Sequence, residues 1–187
     1  MTRQTPMATT LWQSPSILRD VALIVGGSMI VAMAAQISVP MFPVPMTLQT
    51  LAVLFVGLSL GAWRGAAALA LYVAEGAMGL PVFANGMSTA ALFGPTAGFL
   101  YGFIAMAGVA GFLSEHVTGQ RLFGLIAAGL VANAALYLPG VLYLDAATGL
   151  DLNGAMTAGM TPFLIGDAVK LVIAALIVSA GFKLAKR

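Results

Sequence analysis

Residues 161–178 of the chain read TPFLIGDAVKLVIAALIV, a run in which the only charges are Asp167 and Lys170. An apolar helix of about 20 residues crosses the hydrocarbon core of a bilayer, so this run predicts a membrane-spanning helix. A charge inside such a helix costs several kcal/mol unless it is paired, and charges there usually serve function. Residues three apart lie on one face of a helix, so the two side chains can meet. The sequence therefore predicts an ion pair buried within the membrane.

The composition of the whole chain agrees with a membrane protein. Of its 187 residues, 60% are hydrophobic and 7% are charged, with a mean hydropathy of +1.01. A soluble domain carries about 25% charged residues. The chain has no cysteine and a single histidine, His116, which excludes disulfides, thiol chemistry and a metal site built on those residues. It also lacks a P-loop and a catalytic triad, and its net charge of +2 gives no reason to expect a nucleic-acid partner. We therefore expect a protein that is not an enzyme and has no cofactor.

The apolar segments predict an all-α, polytopic integral membrane protein with six transmembrane helices. The predicted spans lie near 20–37, 47–62, 65–80, 97–114, 122–144 and 161–182. Residues 1–19 are predicted to form a flexible cytoplasmic tail, and residues 20–187 a single six-helix membrane domain.

The basic residues predict the orientation of these spans. Seven Lys and Arg residues outside the spans fall on one side of the predicted topology: Arg3, Arg19, Arg64, Arg121, Lys183, Lys186 and Arg187. Basic residues concentrate on the cytoplasmic side of membrane proteins. Both termini are therefore predicted to be cytoplasmic, in a bacterial-type plasma membrane.

Two outward loops, residues 38–46 and 79–96, are apolar and rich in glycine and proline. Exposed loops are usually polar, and irregular backbone at membrane depth is tolerated where it lines a cavity. Asp167 and Lys170 are predicted to lie about 9 and 14 Å below the outer face, at 1.5 Å per helical residue. The two loops are therefore predicted to form the lid of an outward-facing pocket that contains the ion pair.

The ion pair suits a ligand with a polar head and an apolar body. A carboxylate accepts hydrogen bonds from N–H groups, and an ammonium donates to a carbonyl or carboxylate oxygen. Asp167 and Lys170 are therefore the leading candidates for substrate binding. The alternative is a structural pair that locks the last helix to its neighbours.

Four further residues are candidates for the pocket. Thr47 and Gln49 stand at the outer start of the second span, where Thr47 also suits a helix cap and Gln49 is the better pocket residue. Asn85 opens an Asn-Gly pair, which is a turn signal, and its amide can also reach a ligand. Phe83 can wall the pocket or pack within the protein. Each of these alternatives is open from the residues alone.

The first span carries small residues four positions apart, at Ala22 and Gly26 and again at Ser28 and Ala32. Such spacing lets two membrane helices approach closely. The sequence leaves open whether this face packs inside the protein or docks a partner subunit.

Four motifs resemble the signatures of a known family. They read PVPMTLQT at 43–50, GLPVFA at 79–84, GPTAGF at 94–99 and PFLIGDAVK at 162–170. In this order they resemble the BioY family, the biotin-specific membrane subunits of energy-coupling-factor transporters. The resemblance implies six helices and outward loops that close over biotin, whose ureido ring is held by Asp167 and Lys170. It also implies that the small-residue face of the first helix docks a transmembrane coupling subunit that works with two ATPase subunits. A homo-oligomer is an alternative assembly.

The leading hypothesis is therefore a biotin-binding membrane subunit that acts in vitamin uptake. The alternative is a proton- or ion-coupled carrier for a small apolar acid. Its proton relay would use Asp167, Lys170 and Glu75, the one charged residue of the third span.

Overall fold

The computed structural model of the chain describes residues 6, 7, 16–117 and 122–185. Its helices are α1 Ile17–Ala35, α2 Gln49–Leu60, α3 Ala62–Ala77, α4 Ala97–Ser114, α5 Leu122–Thr148, α6 Leu152–Gly159 and α7 Leu164–Ala185. Four segments are long and apolar enough to cross a membrane: α1, α4, α5, and the stretch Leu152–Leu184 that contains α6 and most of α7. Each of the six predicted spans overlaps one of the seven described helices, with boundaries that differ by up to four residues, but α2 and α3 are not among the four segments long enough to cross a membrane.

Helix α2 is shorter than its predicted span, whereas α3 has the predicted length. They contain 12 and 16 residues, or about 18 and 24 Å at 1.5 Å per residue. Only Gly61 lies between them, in a conformation with φ 84° that favours glycine. The two helices therefore form a tight hairpin whose length falls short of a 30 Å hydrocarbon core.

The link after α5 contains a helix that was not predicted from the sequence. Helix α5 continues to Thr148, and after a turn α6 runs from Leu152 to Gly159. The Asp151 side chain caps α6 by accepting a hydrogen bond of 2.8 Å from the backbone N–H of Gly154. A 3-10 turn, Thr161–Phe163, then leads into α7.

The all-α prediction misses a short antiparallel ladder in the first outward loop. Strand β1 Ser38–Val39 pairs with β2 Met46–Thr47, with Ser38 opposite Thr47 and Val39 opposite Met46. The three prolines of this loop lie between the two strands. Proline has no backbone N–H, but at these positions none is needed for the hydrogen bonds that pair the strands. The Phe42–Pro43 peptide bond in the hairpin tip is cis.

The half of the bundle away from these loops is closely packed through small residues of α2, α3 and α4. A Cβ on Gly57 would lie 2.6 Å from the carbonyl oxygen of Ala107, and one on Gly65 would lie 3.1 Å from Gly57 Cα. A Cβ on Gly111 would collide with the backbone of Gly61. The backbones of the three helices therefore touch, as small residues permit in membrane helices.

The same end of the molecule carries a cluster of charges. Arg64 at the start of α3 bonds Asp20 at the start of α1, with Nε 3.0 Å from Oδ1. Arg19 bonds the same oxygen at 3.2 Å. The Glu115 carboxylate accepts a hydrogen bond of 3.0 Å from the backbone N–H of Ala62. These contacts join the starts of α1 and α3 to the end of α4.

The segment 1–19, predicted as a tail, is described only in part. Helix α1 begins at Ile17, so the last residues of that segment are helical, and Arg19 is buried. Pro6 lies against Gly61, and Met7 lies against Gly181. The remaining residues of this segment up to 15 lie outside the described residues. So do three basic residues beyond it that the topology used, Arg121, Lys186 and Arg187.

Candidate ligand-binding site

A cavity of about 300 Å³ lies at the loop end of the bundle. Its floor is formed by the first turns of α2 and α7 and by the middle of α5, and its roof by the loop at 38–46 and the segment around Asn85. The walls are largely apolar and include Pro43, Phe83, Phe99 and Phe103. The volume lies at the lower end of the range for small-molecule pockets, which combine apolar walls with a few polar groups.

The floor of this cavity holds the predicted ion pair. Lys170 Nζ lies 2.9 Å from Asp167 Oδ1, and both side chains are almost fully buried. The three-residue spacing along α7 places them side by side, as the sequence predicts. Both residues line the cavity.

Two hydroxyl groups complete the environment of the Asp167 carboxylate. The Thr50 hydroxyl of α2 donates to Oδ1 at 2.8 Å and accepts a bond of 3.1 Å from Lys170 Nζ. The Tyr137 hydroxyl of α5 donates to Oδ2 at 2.6 Å. Three helices therefore converge on one carboxylate, and the buried charge is compensated by three donors.

A second polar cluster lines the cavity from α2. Gln49 is buried, and its amide donates to the Tyr72 hydroxyl at 2.8 Å. The Thr47 hydroxyl donates to the Gln49 side-chain oxygen at 2.8 Å and accepts from the Gln49 backbone N–H at 3.1 Å. Thr47 thus supports the start of α2 and lines the cavity at once.

Phe83 is held in the cavity wall by close packing on α3. Its ring is 1% exposed and meets the Tyr72 ring edge to face, with centroids 5.2 Å apart. The ring lies directly on Gly76, where any Cβ would overlap it. Both readings of Phe83 therefore apply, since it packs in the core and lines the cavity.

Asn85 joins the two outward loops. Its side-chain oxygen accepts a hydrogen bond of 2.7 Å from the Ser38 hydroxyl of β1. Its backbone has a φ of 57°, a left-handed turn conformation that asparagine tolerates. Asn85 is exposed and also lines the cavity, so it serves as a turn residue and borders the ligand space.

Comparisons with known proteins agree on one family. A sequence model of the BioY family matches residues 3–187. The chain belongs to the BioY family.

Several relatives support this membership. The biotin transporter BioY of Thermotoga maritima is 42% identical over 149 residues, covering 79% of this chain and 86% of the relative. The biotin transporter BioY of Rhodobacter capsulatus is 40% identical over 174 residues, covering 85% and 90%. A crystal structure of the S-component for biotin from an ECF-type ABC transporter has the same fold. Its TM-score is 0.80 at 20% identity, covering 93% of this chain and 100% of that one. As a BioY family member, the chain is a membrane transport protein and not an enzyme.

Glu75 lies apart from the cavity of this BioY family member. Its carboxylate accepts a short hydrogen bond from the Ser28 hydroxyl of α1, and Glu75 does not line the cavity. Lys170 bonds Asp167 and Thr50, so Glu75 does not join the ion pair of the cavity floor. Within the described residues, no group of three His, Cys, Asp or Glu side chains is arranged to hold a metal ion.

The four small residues predicted to dock a partner do not share one surface. Ala22 is exposed, and a Cβ on Gly26 would meet nothing within 4 Å, so this pair faces outward. Ser28 is fully buried against α3, and Ala32 is half-buried. Ser28 lies six residues after Ala22, which places it well around the helix from that open face. Including Ser28 in a docking surface is therefore wrong.

Thr50 and Tyr137 both bond Asp167, and neither was predicted from the sequence as a site residue. Thr50 ends the PVPMTLQT motif, but only Thr47 and Gln49 were singled out there. Tyr137 is one of two tyrosines within the apolar run of α5 and lies two residues before Pro139. A polar atom in such a run needs a buried partner, and that signal was available.

Proposed function

We propose that this chain binds biotin at the outer face of a bacterial-type plasma membrane and delivers it for uptake. One observation carries the proposal: a buried Asp167–Lys170 pair stands at the floor of a mostly apolar pocket, in a member of the BioY family. Biotin combines a polar cyclic urea with an apolar bicyclic body. The relatives described above are named biotin transporters, which supports this choice of ligand.

The urea ring fits the charges of the floor. Lys170 donates to the urea oxygen, and Asp167 accepts from a urea N–H. The two N–H bonds of a five-membered cyclic urea point away from each other, so one carboxylate takes only one of them. The second N–H is assigned to the Asn85 side-chain oxygen, with Gln49 as the other amide within the pocket. Phe83 packs on the bicycle, and the biotin carboxylate points to the mouth.

We assign six membrane crossings, with α2 and α3 as a short hairpin inside the bundle. The pocket and the two loops occupy the outer part of the membrane's thickness above these helices, which offsets their short length. Arg19 and Arg64 lie close together through Asp20, which supports a single basic, cytoplasmic face. Both termini are then cytoplasmic, and residues 20–187 form one membrane domain behind a cytoplasmic tail.

Single cysteines test this topology without background, because the chain has none. Ala146→Cys, at an exposed position in the last turn of α5, should react with an impermeant maleimide applied to intact cells. Leu184→Cys, near the end of α7, should react only after the cells are opened. Labelling of Leu184→Cys from outside would overturn the orientation.

The loops at 38–46 and 79–96 are assigned as the lid. Both contribute residues to the cavity, and the Ser38–Asn85 hydrogen bond links them. A bound ligand would order and bury them. Hydrogen exchange of both loops should slow when biotin is added, whereas α4 should exchange alike with and without it. Equal exchange in both loops would count against a lid.

Partner docking is assigned to the open face of α1 at Ala22 and Gly26. The partner is the transmembrane coupling subunit of an ECF module, which works with two ATPase subunits; a homo-oligomer is the competing assembly. Gly26→Leu should block co-purification of the coupling subunit and leave biotin binding intact. Light scattering of the detergent-solubilised chain separates this assembly from a homo-oligomer.

Ligand identity is the direct test of function. Mass spectrometry of small molecules that co-purify with the chain should find biotin at close to one per protein. Titration calorimetry should give one site, and biotin amide should lose much less affinity than an analogue altered at the urea ring. A chain that binds no biotin but takes up a small acid under a pH gradient would be a carrier instead.

A further inference from the structure

A second cavity, of about 560 Å³, opens on the flank of the bundle between α5, α6 and α7. We call it the lateral groove. Its polar lining residues are Asn133, Tyr137 and Asp167. The rest of the lining is apolar and consists of Leu130, Ala134, Leu138, Val141, Leu142, Leu152, Met156, Met160, Leu164 and Ala168.

The lateral groove is open to the hydrocarbon of the membrane. It lies between α5 and the stretch Leu152–Leu184, which are both long and apolar enough to cross a bilayer. Leu138 and Leu142 on its rim are 67% and 52% exposed. Lipid chains are as apolar as leucine side chains, so this rim does nothing to exclude them. We therefore expect an acyl chain of the surrounding lipid to occupy the groove.

Tyr137 and Asp167 separate the lateral groove from the ligand pocket. Among the described residues, these two alone line both spaces. The Tyr137 hydroxyl of α5 donates to Asp167 Oδ2 of α7 at 2.6 Å, so their side chains meet between the two helices. Tyr137 contributes the larger side chain to this boundary, and it is half-buried. Its ring is therefore the main barrier between the pocket and the groove.

Without this barrier the ligand pocket would be exposed to lipid. Its walls are largely apolar, and an apolar cavity is stabilised when an apolar group replaces water in it. Acyl chains are always present beside the groove, whereas a ligand must be captured from solution. A binding protein gains specificity by obstructing a competitor as well as by contacting its own ligand. A pocket in this position therefore needs a barrier against hydrocarbon.

We propose that the Tyr137 ring is a specificity-determining barrier that keeps lipid acyl chains out of the ligand pocket. This inference rests on the proposed function, because it takes the pocket as the biotin site. The bond to Asp167 holds the ring in place across the boundary. That bond does not oppose the ligand, because a carboxylate oxygen offers about two acceptor positions and the hydroxyl takes one of those on Oδ2.

Release of a spin-labelled fatty acid by biotin tests the barrier in protein reconstituted into lipid nanodiscs. Tyr137→Ala removes the ring, so stearic acid with a nitroxide near its methyl end should enter the pocket. Biotin should then release that chain, which electron paramagnetic resonance detects as a loss of immobilised signal. In the parent protein the label should reach only the groove, and biotin should leave the signal unchanged.

Biotin affinity provides a second readout of the same competition. In Tyr137→Ala the apparent affinity should fall as the fatty-acid concentration rises. The expected loss is about tenfold at about ten times the concentration that half-fills the pocket, by mass action. In the parent protein the affinity should not depend on the fatty acid.

Two variants are matched controls for this substitution. Tyr137→Phe removes the hydroxyl but keeps the ring, so it should exclude the fatty acid as the parent protein does. Tyr143→Ala removes a tyrosine ring from the same helix, and Tyr143 lines neither space. It should also exclude the fatty acid. Tyr137→Val replaces Tyr137→Ala if the latter does not fold, and it should admit the chain.

Biotin-dependent release of the label from the parent protein or from Tyr137→Phe would overturn the proposal. So would a folded Tyr137→Ala or Tyr137→Val variant in which biotin releases no label and the fatty acid does not weaken biotin binding. These outcomes leave the proposed function intact if the parent protein binds biotin. A parent protein that binds no biotin refutes the proposed function itself.

Discussion

Two ion pairs stand at opposite ends of the helical bundle and have different surroundings. Asp167 and Lys170 lie in the cavity floor, with side chains 5% and 11% exposed, and they take further bonds from Thr50 and Tyr137. Asp20 joins Arg64 between the starts of α1 and α3, with side chains 26% and 14% exposed. The first pair faces a space that another molecule can enter. The second joins two helices at the surface. We therefore assign recognition to the first pair, because it borders a cavity, and fastening to the second.

The largest expected effect is at the cavity pair. Asp167→Asn keeps the shape but removes the charge that compensates Lys170, so biotin affinity should fall by about tenfold to hundredfold. A hydrogen bond to a charged group contributes about 1.5–3 kcal/mol, and 1.4 kcal/mol is one decade. Titration calorimetry on a monodisperse preparation measures this. Parent-like affinity in a folded Asp167→Asn variant would make the pair structural.

Lys170→Met tests the other half of that pair at similar volume. The lost bond to the urea oxygen and the stranded Asp167 charge should again weaken biotin binding by at least about tenfold. An analogue with a sulfur in place of the urea oxygen should bind the parent protein less well than biotin does. Discrimination between the two ligands should shrink in Lys170→Met. If the parent and the variant discriminate equally, Lys170 does not contact that atom.

An intermediate effect is expected where α3 supports the cavity wall. Gly76→Ala places a methyl group into the Phe83 ring, which must move into the pocket or outward. Overpacking typically costs about 1–3 kcal/mol, so thermal stability and biotin affinity should both fall. Gly108→Ala is the control, since its Cβ would be 3.6 Å from Ala66, an ordinary contact. That variant should keep its affinity. Gly76→Ala with parent-like binding would mean that Phe83 does not shape the site.

The smallest effect is expected at the opposite ion pair. Asp20→Asn should leave the biotin dissociation constant within about twofold of the parent, because the pair is a contact between helices near the surface and the pocket lies at the other end. Thermal stability should fall slightly, and less at high salt, where such pairs are screened. If Asp20→Asn lowered biotin affinity as much as Asp167→Asn, the two ion pairs would not have different roles.

Site residues could be predicted from the sequence where spacing along one helix or local composition was enough to identify them. Asp167 and Lys170 meet because they are three residues apart on one helix, and an apolar setting made both conspicuous. The outward loops could be predicted to border a pocket because their composition is unusual for exposed loops. Thr50 could not be assigned in this way, because its bond to Asp167 joins residues 117 positions apart.

Other features depend on three-dimensional contacts that no local pattern reports. The ladder of Ser38–Val39 with Met46–Thr47 has two residues per strand, too few for a visible alternation. Helix α6 has eight residues and was hidden in a link marked mainly by its acidic residues. The four-residue spacing of small residues predicted that Ser28 and Ala32 share a docking face. In the structure the Ser28 hydroxyl donates to Glu75, 47 positions away, and Ser28 faces the protein interior.

The contact of Gly57, Gly65 and Gly111 with neighbouring backbones has a further consequence, for the electrical integrity of the cell. Where helices α2, α3 and α4 touch main chain to main chain, water cannot form a continuous file between them. In the proposed uptake role the protein stands in an energised membrane, where any such file would leak protons. Vesicles containing this chain should therefore hold a pH gradient as long as protein-free vesicles do. Gly57→Ser places a side chain against the α4 backbone and should separate α2 from α4. Vesicles that contain this variant should lose the pH gradient sooner than vesicles with the parent protein.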